Sequence, residues 1–213
     1  MKIGVIGATG KAGQLIMEEA KQRGHEVTAI VRNASKLKNQ TNVIEKDIFV
    51  ITSKDIEQFD AVVDAFNAPP GSEQMHVESI QSLIKAFQGV QGVQTRLAVV
   101  GGAGSLFVDA EKTMPLMSTE GFPAAYYPTA SNMGKGLKEL EKSTIDWTYL
   151  SPAAFFDPEG ARTGVYQLGK DHVITNSQNE SYISYADYAI ALIDELENKN
   201  YVNERFAVVG EKA

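Results

Sequence analysis

The chain has 213 residues, of which 43% are hydrophobic and 22% charged, a mixture typical of one globular domain with a substantial core. The net charge of −7 and the absence of a basic cluster argue against nucleic acid as a partner. The lack of cysteine excludes disulfides and thiolate chemistry, and the three histidines form no His-x-x-x-His pair for a metal.

No apolar run reaches the roughly 18 residues that a membrane-spanning helix requires. The opening residues 1–7 form a short apolar run broken by glycines, which is typical of a strand and not of a signal peptide. We therefore expect a cytoplasmic protein with neither a membrane nor a nucleic acid as partner, and with no metal.

Short apolar strands alternate with helices along most of the chain. Strands are predicted at 3–6, 26–31, 43–48, 61–66, 97–100 and 147–150, and helices at 13–23, 75–87 and 128–143. This alternation predicts an α/β fold, a doubly wound parallel sheet with right-handed crossovers. No linker interrupts the pattern, so 1–213 is predicted to be a single domain.

Residues 151–213 depart from this alternation. The runs 165–168 and 173–175 flank a turn and predict a small hairpin. Ser184 is predicted to cap a helix from Tyr185 to about Glu197, and 205–209 predicts a last strand. We expect this extension to lie over the carboxyl ends of the strands, where ligands bind in such sheets.

A glycine-rich turn, Gly7-Ala8-Thr9-Gly10-Lys11-Ala12-Gly13, joins the first strand to the first helix. Gly7 permits a tight turn, Gly10 lets a pyrophosphate approach the backbone, and Gly13 lets the helix pack closely on the sheet. The free N–H groups and the dipole of the helix then favour phosphate. The alternative is an ordinary turn without a ligand, but this spacing and context favour a dinucleotide and a Rossmann fold.

The end of the second strand bears on which dinucleotide binds. NAD sites usually place a carboxylate there for the ribose, whereas here the strand leads into Arg32, with Ser35 and Lys36 beyond it. Arg32 can stack on adenine and bind a 2′-phosphate, and the sequence shows no carboxylate at this point to repel it. The alternative is an exposed arginine on a loop. The charge argument favours NADP(H) over NAD(H).

Three segments carry a family resemblance: GATGKAG at 7–13, VVGGAGSL at 99–106 and DWTYLSPAAFF at 146–156. Together they resemble the atypical short-chain dehydrogenase/reductase group. Within it the chain is similar to the NmrA-like NAD(P)H-binding proteins, which include NADH-flavin reductase-like and flavin/biliverdin reductase-like members. ISYADYAIALIDELEN at 183–198 extends the resemblance to nearly the whole chain.

The resemblance implies local roles at the carboxyl ends of the predicted strands. Thr9, Gly10, Lys11 and Ala12 would hold the pyrophosphate, and Asp47 with Ile48 would lie near the adenine. Asn67, Ala68 and Pro69 would line the ribose, and the nicotinamide would be flanked by Gly101, Gly102, Ser151, Pro152 and Ala153. For Asp47 the alternative is an ordinary surface carboxylate.

The Tyr-x-x-x-Lys dyad of typical members of the short-chain dehydrogenase/reductase superfamily is missing where it is expected. It would lie on the helix after the fifth strand, but Tyr126 and Tyr127 are followed four residues later by Ala130 and Ser131. The match at 166–170 contains a glycine and lies in the predicted hairpin, so we reject it. No catalytic residue can therefore be assigned.

The missing dyad narrows the reaction. Reducing a ketone needs a proton delivered with the hydride, whereas a flavin or quinone can take its proton from water. The sequence therefore favours an NAD(P)H-dependent oxidoreductase with a planar conjugated acceptor such as a flavin, quinone or tetrapyrrole. The main alternative is a redox sensor of NmrA type that binds NADP(H) without turnover. A sugar epimerase is the weakest alternative, because it needs the missing tyrosine.

The acceptor pocket is predicted among the loops after strands four to six. Its candidates are His76, Leu106, Tyr127 and Phe155, together with the other apolar loop residues Phe107, Met114, Met117, Phe122 and Phe156. The alternatives are a surface position for His76 and, for the apolar residues, loop packing or a subunit interface. A homodimer or a regulatory protein partner stays open.

Overall fold

The computed structural model describes residues 1–37, 42–90 and 95–212. Its strands are β1 (Lys2–Ile6), β2 (Glu26–Val31), β3 (Asn42–Glu45), β4 (Ala61–Asp64), β5 (Arg96–Val100), β6 (Trp147–Ser151), β7 (Phe155–Asp157), β8 (Tyr166–Gly169), β9 (Tyr182–Ser184) and β10 (Glu204–Gly210). Its α-helices are α1 (Lys11–Gln22), α2 (Ser53–Ile56), α3 (Met75–Gln88), α4 (Tyr127–Lys142) and α5 (Tyr185–Asn198). Within the described ranges, no helix combines the length and apolar character that crossing a membrane requires.

The main sheet has eight strands in the order β3-β2-β1-β4-β5-β6-β10-β8. All its pairs are parallel except the pair of β8 with β10. The order reverses beside β1, which is the arrangement of a doubly wound Rossmann sheet. The predicted α/β fold class is therefore confirmed.

Helices cover both faces of the sheet, which explains why its central strands are continuous apolar runs. On one face α1 packs against α5, and Ile16 of α1 and Leu192 of α5 are fully buried there. On the other face α3 packs against α4 over Val62, Leu97 and the rest of a second core cluster.

The predicted hairpin between 165–168 and 173–175 is wrong. β8 pairs antiparallel with β10, with Leu168 opposite Val208, and 173–175 forms no strand. The last predicted strand does not lie over the ligand edge as expected. It forms β10, which pairs with β6 inside the main sheet. The buried apolar residues of β10, from Phe206 to Val209, fit a position inside a sheet and not above it.

Two predicted strands end earlier than their apolar runs. β3 stops at Glu45, because Asp47 caps a short 3₁₀ turn at Ile48–Val50 by accepting the N–H of Phe49. β4 stops at Asp64, whose side chain accepts the N–H of Phe66. In both cases an aspartate side-chain oxygen accepts a backbone N–H and ends the extended conformation.

The long loop 101–125 is held against β10 by Arg205. The guanidinium donates to the carbonyl and hydroxyl of Ser105 and to Asp171, and it lies over the ring of Phe107 at 5.7 Å. Phe107 also forms β-bridges to Pro115 and His172. The loop is thus a folded layer on the domain.

Candidate functional site

The carboxyl ends of β1, β2, β4, β5 and β6 lie side by side at one edge of the sheet. The register pairs Ile6 with both Ile30 and Asp64, and pairs Val100 with Leu150. The ends of these strands and the turns that follow them contain most of the sequence-predicted cofactor residues, while Asp47 and Ile48 follow β3. The structure therefore brings these residues to a single edge, where ligands bind in open parallel sheets.

The three glycines of the first turn have distinct surroundings. Gly7 has a φ of +74° and a Cβ there would lie 2.4 Å from the Ala65 carbonyl oxygen, so only glycine fits. A Cβ at Gly13 would lie 2.4 Å from the Gly7 carbonyl oxygen, which explains the close packing of α1. A Cβ at Gly10 would meet only the Gly7 carbonyl oxygen, at 3.3 Å. The surface of Gly10 faces away from the protein and can admit a ligand.

The N-terminus of α1 begins directly after this turn. Among the residues that the structure describes, no side chain caps it, and its first turn contains no acidic residue. The first N–H groups of a helix lack intrahelical partners and favour an anion. A pyrophosphate fits this donor set.

Lys11, the first residue of α1, adds a cation to the same turn. Its ammonium pairs with Glu159, which lies in the segment after β7, and this contact raises the pKa of Lys11. Both side chains are exposed. Sequence reasoning did not identify Glu159, because 148 residues separate it from Lys11. A bound phosphate would compete with this carboxylate for the lysine.

Arg32 follows β2 and its side chain is 73% exposed. Its Nε lies 4.0 Å from Asp47, and Glu45 nearby accepts the N–H of Ala34 at 3.0 Å. The expectation that no carboxylate lies at this point is therefore wrong. The strand pairing explains this error, because β3 pairs in parallel with β2 and Glu45 lies opposite Val31. The acidic end of β3 therefore lies beside Arg32.

The next two groups of predicted residues follow β3 and β4. Asp47 is partly buried and caps the 3₁₀ turn, and Ile48 is buried. After β4, Asn67 and Pro69 are exposed while Ala68 is 7% exposed. Ser35, near Arg32, is exposed and donates its hydroxyl to Asn33.

Tyr149 of β6 explains the glycine pair after β5. A Cβ at Gly101 would lie 2.2 Å from Cε1 of Tyr149, so the tyrosine ring fills the space beneath this glycine. The Gly102 N–H donates to the Tyr149 hydroxyl at 3.1 Å. Sequence reasoning identified both glycines and missed the tyrosine, which looked like part of an apolar strand.

The residues after β6 are less accessible than expected for contacts with a nicotinamide. Ser151, Pro152 and Ala153 are all buried. The Ser151 hydroxyl has no hydrogen-bond partner in the described structure. These residues form a closed floor at the edge of the site.

The four candidates for the acceptor pocket are not brought together in one cavity. Leu106 is 1% exposed and packs inside the protein, whereas Tyr127 is 49% and Phe155 58% exposed. Of the remaining apolar loop residues, Phe156 packs on Tyr185 and Tyr188, which favours the loop-packing alternative for that residue.

His76 is buried, so its surface alternative is wrong. It lines a cavity of about 20 Å³ whose walls contain none of the other three candidates. The polar or sulfur-containing residues of the wall are Asp64, His76, Ser79, Met133 and Tyr149. Burial lowers the pKa of His76, and its Nε2 is positioned to accept the N–H of Ala68 at 3.4 Å.

Larger clefts lie at the opposite edge of the sheet. One, of about 480 Å³, is lined by Trp147 and Glu204, the first residues of β6 and β10, and by Arg205. Arg205 is already paired with Asp171 and Ser105. We place the functional site at the carboxyl edge, where the glycine turn and the uncapped helix lie, although the clefts there are smaller.

Comparison with known proteins identifies the family of the chain. A family model described as NAD(P)H-binding matches residues 7–199. The chain belongs to this NAD(P)H-binding family. The match confirms the resemblance to the atypical short-chain dehydrogenase/reductase group and its NAD(P)H-binding proteins.

Several relatives cover almost the whole chain. An uncharacterized protein of Bacillus subtilis, YwnB, is 61% identical, with 99% of each chain covered. A solved structure from Streptococcus pneumoniae, titled "a putative NADH-flavin reductase", is 44% identical with a TM-score of 0.92, covering 99% of this chain and 100% of that one. Another from Bacteroides thetaiotaomicron, titled "putative epimerase", is 37% identical with a TM-score of 0.83, covering 100% and 98%.

Proposed function

We propose that this protein is an NAD(P)H-dependent reductase that prefers NADPH and reduces a planar conjugated acceptor such as a flavin or quinone. The observation that carries the cofactor part is the uncapped N-terminus of α1 at the carboxyl edge, reached through the open surface of Gly10. When bound there, NAD(P)H supplies a hydride. The chain's own residues bind the pyrophosphate and shape the edge at Gly101 and Gly102.

The preference for NADPH rests on Arg32. Its guanidinium is largely exposed at the end of β2 and makes only a long contact of 4.0 Å with Asp47 within the described structure. A 2′-phosphate carries more charge than a carboxylate and can accept a bidentate pair from arginine. Glu45 opposes this preference by its charge, although its carboxylate is already engaged by the Ala34 N–H.

Two observations support the proposed acceptor class: the sequence at the start of α4 and the description of one relative. α4 begins at Tyr127, and four residues later stands Ser131 where the usual dyad has lysine. An acceptor that becomes acidic as it is reduced needs this dyad less than a ketone does. The S. pneumoniae relative carries a flavin reductase title, which supports the same acceptor class.

The test separates binding from turnover. We would titrate NADPH and NADH by fluorescence into the wild-type protein, Arg32→Ala, and Lys54→Ala as a control at an exposed lysine on α2. We expect Arg32→Ala to weaken NADPH binding by about 10- to 100-fold, equivalent to 1.4–2.7 kcal/mol, and to weaken NADH binding much less, because NADH lacks the 2′-phosphate. Lys54→Ala should match the wild type.

Turnover is measured next, with free flavin mononucleotide and a small naphthoquinone as acceptors under anaerobic conditions. Oxidation of NADPH on adding either acceptor supports the reductase. Tight NADPH binding without oxidation would instead favour the redox sensor. If neither nucleotide binds, the proposed function is wrong.

A further inference from the structure

Asp64 is a buried carboxyl group at the end of a central strand. It is 4% exposed, and its Oδ1 accepts the N–H of Phe66 at 3.0 Å. In the described part of the chain no lysine, arginine or histidine forms an ion pair with it. Burying an unpaired carboxylate is costly, so burial raises the pKa of Asp64 to about 7.

The cavity beside Asp64 has room for one water molecule. Its volume of about 20 Å³ exceeds the 10–15 Å³ that a single water needs. Asp64, His76 and Tyr149 line it, and these side chains carry enough polar groups for the two to four partners that a water requires.

The cavity lies directly beneath the Gly101-Gly102 turn. The Tyr149 hydroxyl in its wall accepts the Gly102 N–H, and Val100, another wall residue, precedes the turn. Met133 lines the cavity and also lies beside Gly102, because a Cβ there would meet its Sδ at 3.1 Å. The buried carboxyl therefore lies next to the edge at which we place hydride transfer.

Among the described residues, the charged and titratable groups around Asp64 place no positive charge in contact with its carboxyl. On α3, His76 has a lowered pKa and is neutral at pH 7. On β6, Tyr149 has a pKa raised to about 12 by burial. The charge of Arg205 on β10 lowers the pKa of Tyr149, against the larger effect of burial. From α4, the uncharged side chain of Met133 lines the cavity.

We propose that Asp64 and one water in this cavity store a proton and deliver it to the acceptor, with Tyr149 positioning the water. This inference rests on the proposed reductase function. The site would take acceptors that gain a proton together with the hydride, of which a quinone is the simplest probe.

The step balances as follows. The dinucleotide supplies the hydride with its two electrons and is oxidised, and the acceptor is reduced by two electrons. The O–H bond of Asp64 breaks, and its proton passes through the water to the acceptor, where a new O–H or N–H bond forms. The carboxylate then regains a proton from solvent before the next turnover.

The first measurement uses the cofactor-free protein. Infrared difference spectra between the wild type and Asp64→Asn, recorded against pH, follow the carbonyl stretch of the protonated Asp64 carboxyl. We expect this band to disappear with a midpoint near pH 7. A midpoint below pH 5 would overturn the inference, because Asp64 would then carry no proton at neutral pH.

The second measurement is the single-turnover rate of naphthoquinone reduction at saturating NADPH, recorded against pH. The wild-type rate should fall about tenfold per pH unit above the midpoint of Asp64. Asp64→Asn should be about 100-fold slower below that midpoint and lose this dependence, since one positioned proton donor contributes about 100-fold or more. Tyr149→Phe should lower the rate and leave the infrared midpoint near pH 7.

Asp60→Asn is the matched control, because Asp60 is an exposed carboxylate at the opposite end of β4 that accepts the Lys2 N–H. Its pH profile should match the wild type. If Asp64→Asn retains the wild-type profile and rate, the inference is wrong while the reductase function stands. If the wild type reduces no acceptor at any pH, the proposed function fails and this inference fails with it.

Discussion

The ring of Tyr149 occupies the space that a side chain at position 101 would need. A Cβ there would lie 2.2 Å from Cε1 and 2.7 Å from Cδ1 of the tyrosine. Gly101 is therefore required by a residue on the neighbouring strand, and the two positions act as one packing unit. The same ring carries the hydroxyl that holds the Gly102 N–H.

Replacing Gly101 by alanine should force the Tyr149 ring to shift and destabilise the fold. We expect Gly101→Ala to lower the free energy of unfolding by about 2 kcal/mol, which is typical of overpacking a core. Urea denaturation measures this. Gly121→Ala is the control, because a Cβ at Gly121 meets nothing within 4 Å. Equal stability of the two variants would contradict the packing argument.

The glycines of the first turn should separate folding from binding. Gly10→Ala should leave stability within about 0.5 kcal/mol of the wild type and weaken NADPH binding at least tenfold, because its Cβ would point toward the ligand. Gly13→Ala should lose about 2 kcal/mol of stability, because its Cβ would meet the Gly7 carbonyl. Urea denaturation and nucleotide titration of both variants check this, and normal binding by Gly10→Ala would refute it.

Arg205 should hold the loop 101–125 in place. We expect Arg205→Ala to cost about 2 kcal/mol, because it leaves Asp171 with only Lys112 and the Ser105 carbonyl without this donor. Trypsin should then cut after Lys112 faster than in the wild type. Lys170→Ala, at an exposed lysine 3.5 Å from Glu204, should change neither property. Unchanged cleavage in Arg205→Ala would show that the loop holds itself.

Asp64 should make the protein less stable as the pH rises. Its folded-state pKa of about 7 lies above the ordinary aspartate value of 3.8, so the folded state binds the proton more tightly than the unfolded state. The resulting stability is full below pH 3.8, falls between pH 3.8 and 7, and is absent above pH 7. At about 1.4 kcal/mol per pKa unit, the loss is at most roughly 4 kcal/mol.

Asp64→Asn removes this titration. Denaturant unfolding at pH 5 and pH 8 should show that the wild type loses more stability over this interval than the variant does, and Asp60→Asn should behave as the wild type. A parallel dependence in Asp64→Asn and the wild type would mean that the carboxyl is not held protonated by burial.

The main strands and helices could be predicted because their signals are local. The apolar run of β1 and the amphipathic period of α3 need no knowledge of distant partners. β8 shows the limit, because its run looks like one arm of a hairpin until its true partner, β10, is known. Pairing between distant segments leaves no mark in a short stretch of sequence.

The site shows the same division. The glycine turn was recognised because the whole strand-turn-helix unit is contiguous. Glu159 and Tyr149 were missed because each acts on a residue far along the chain. The sequence does contain a signal for Asp64, because an acidic residue at the end of the buried run of β4 is unusual. From the sequence alone, this residue was interpreted only as part of a strand.

The contact between α1 and α5 sets an order of events during synthesis. Ile16, Met17 and Ala20 of α1 are buried in a core cluster that includes Leu192 and Leu196 of α5. Because α1 precedes α5 in the chain, synthesis exposes the apolar face of α1 before its partner helix has been made. The glycine turn leads directly into that helix. The nucleotide-binding turn is therefore fully supported only after α5 has been made and has packed on α1.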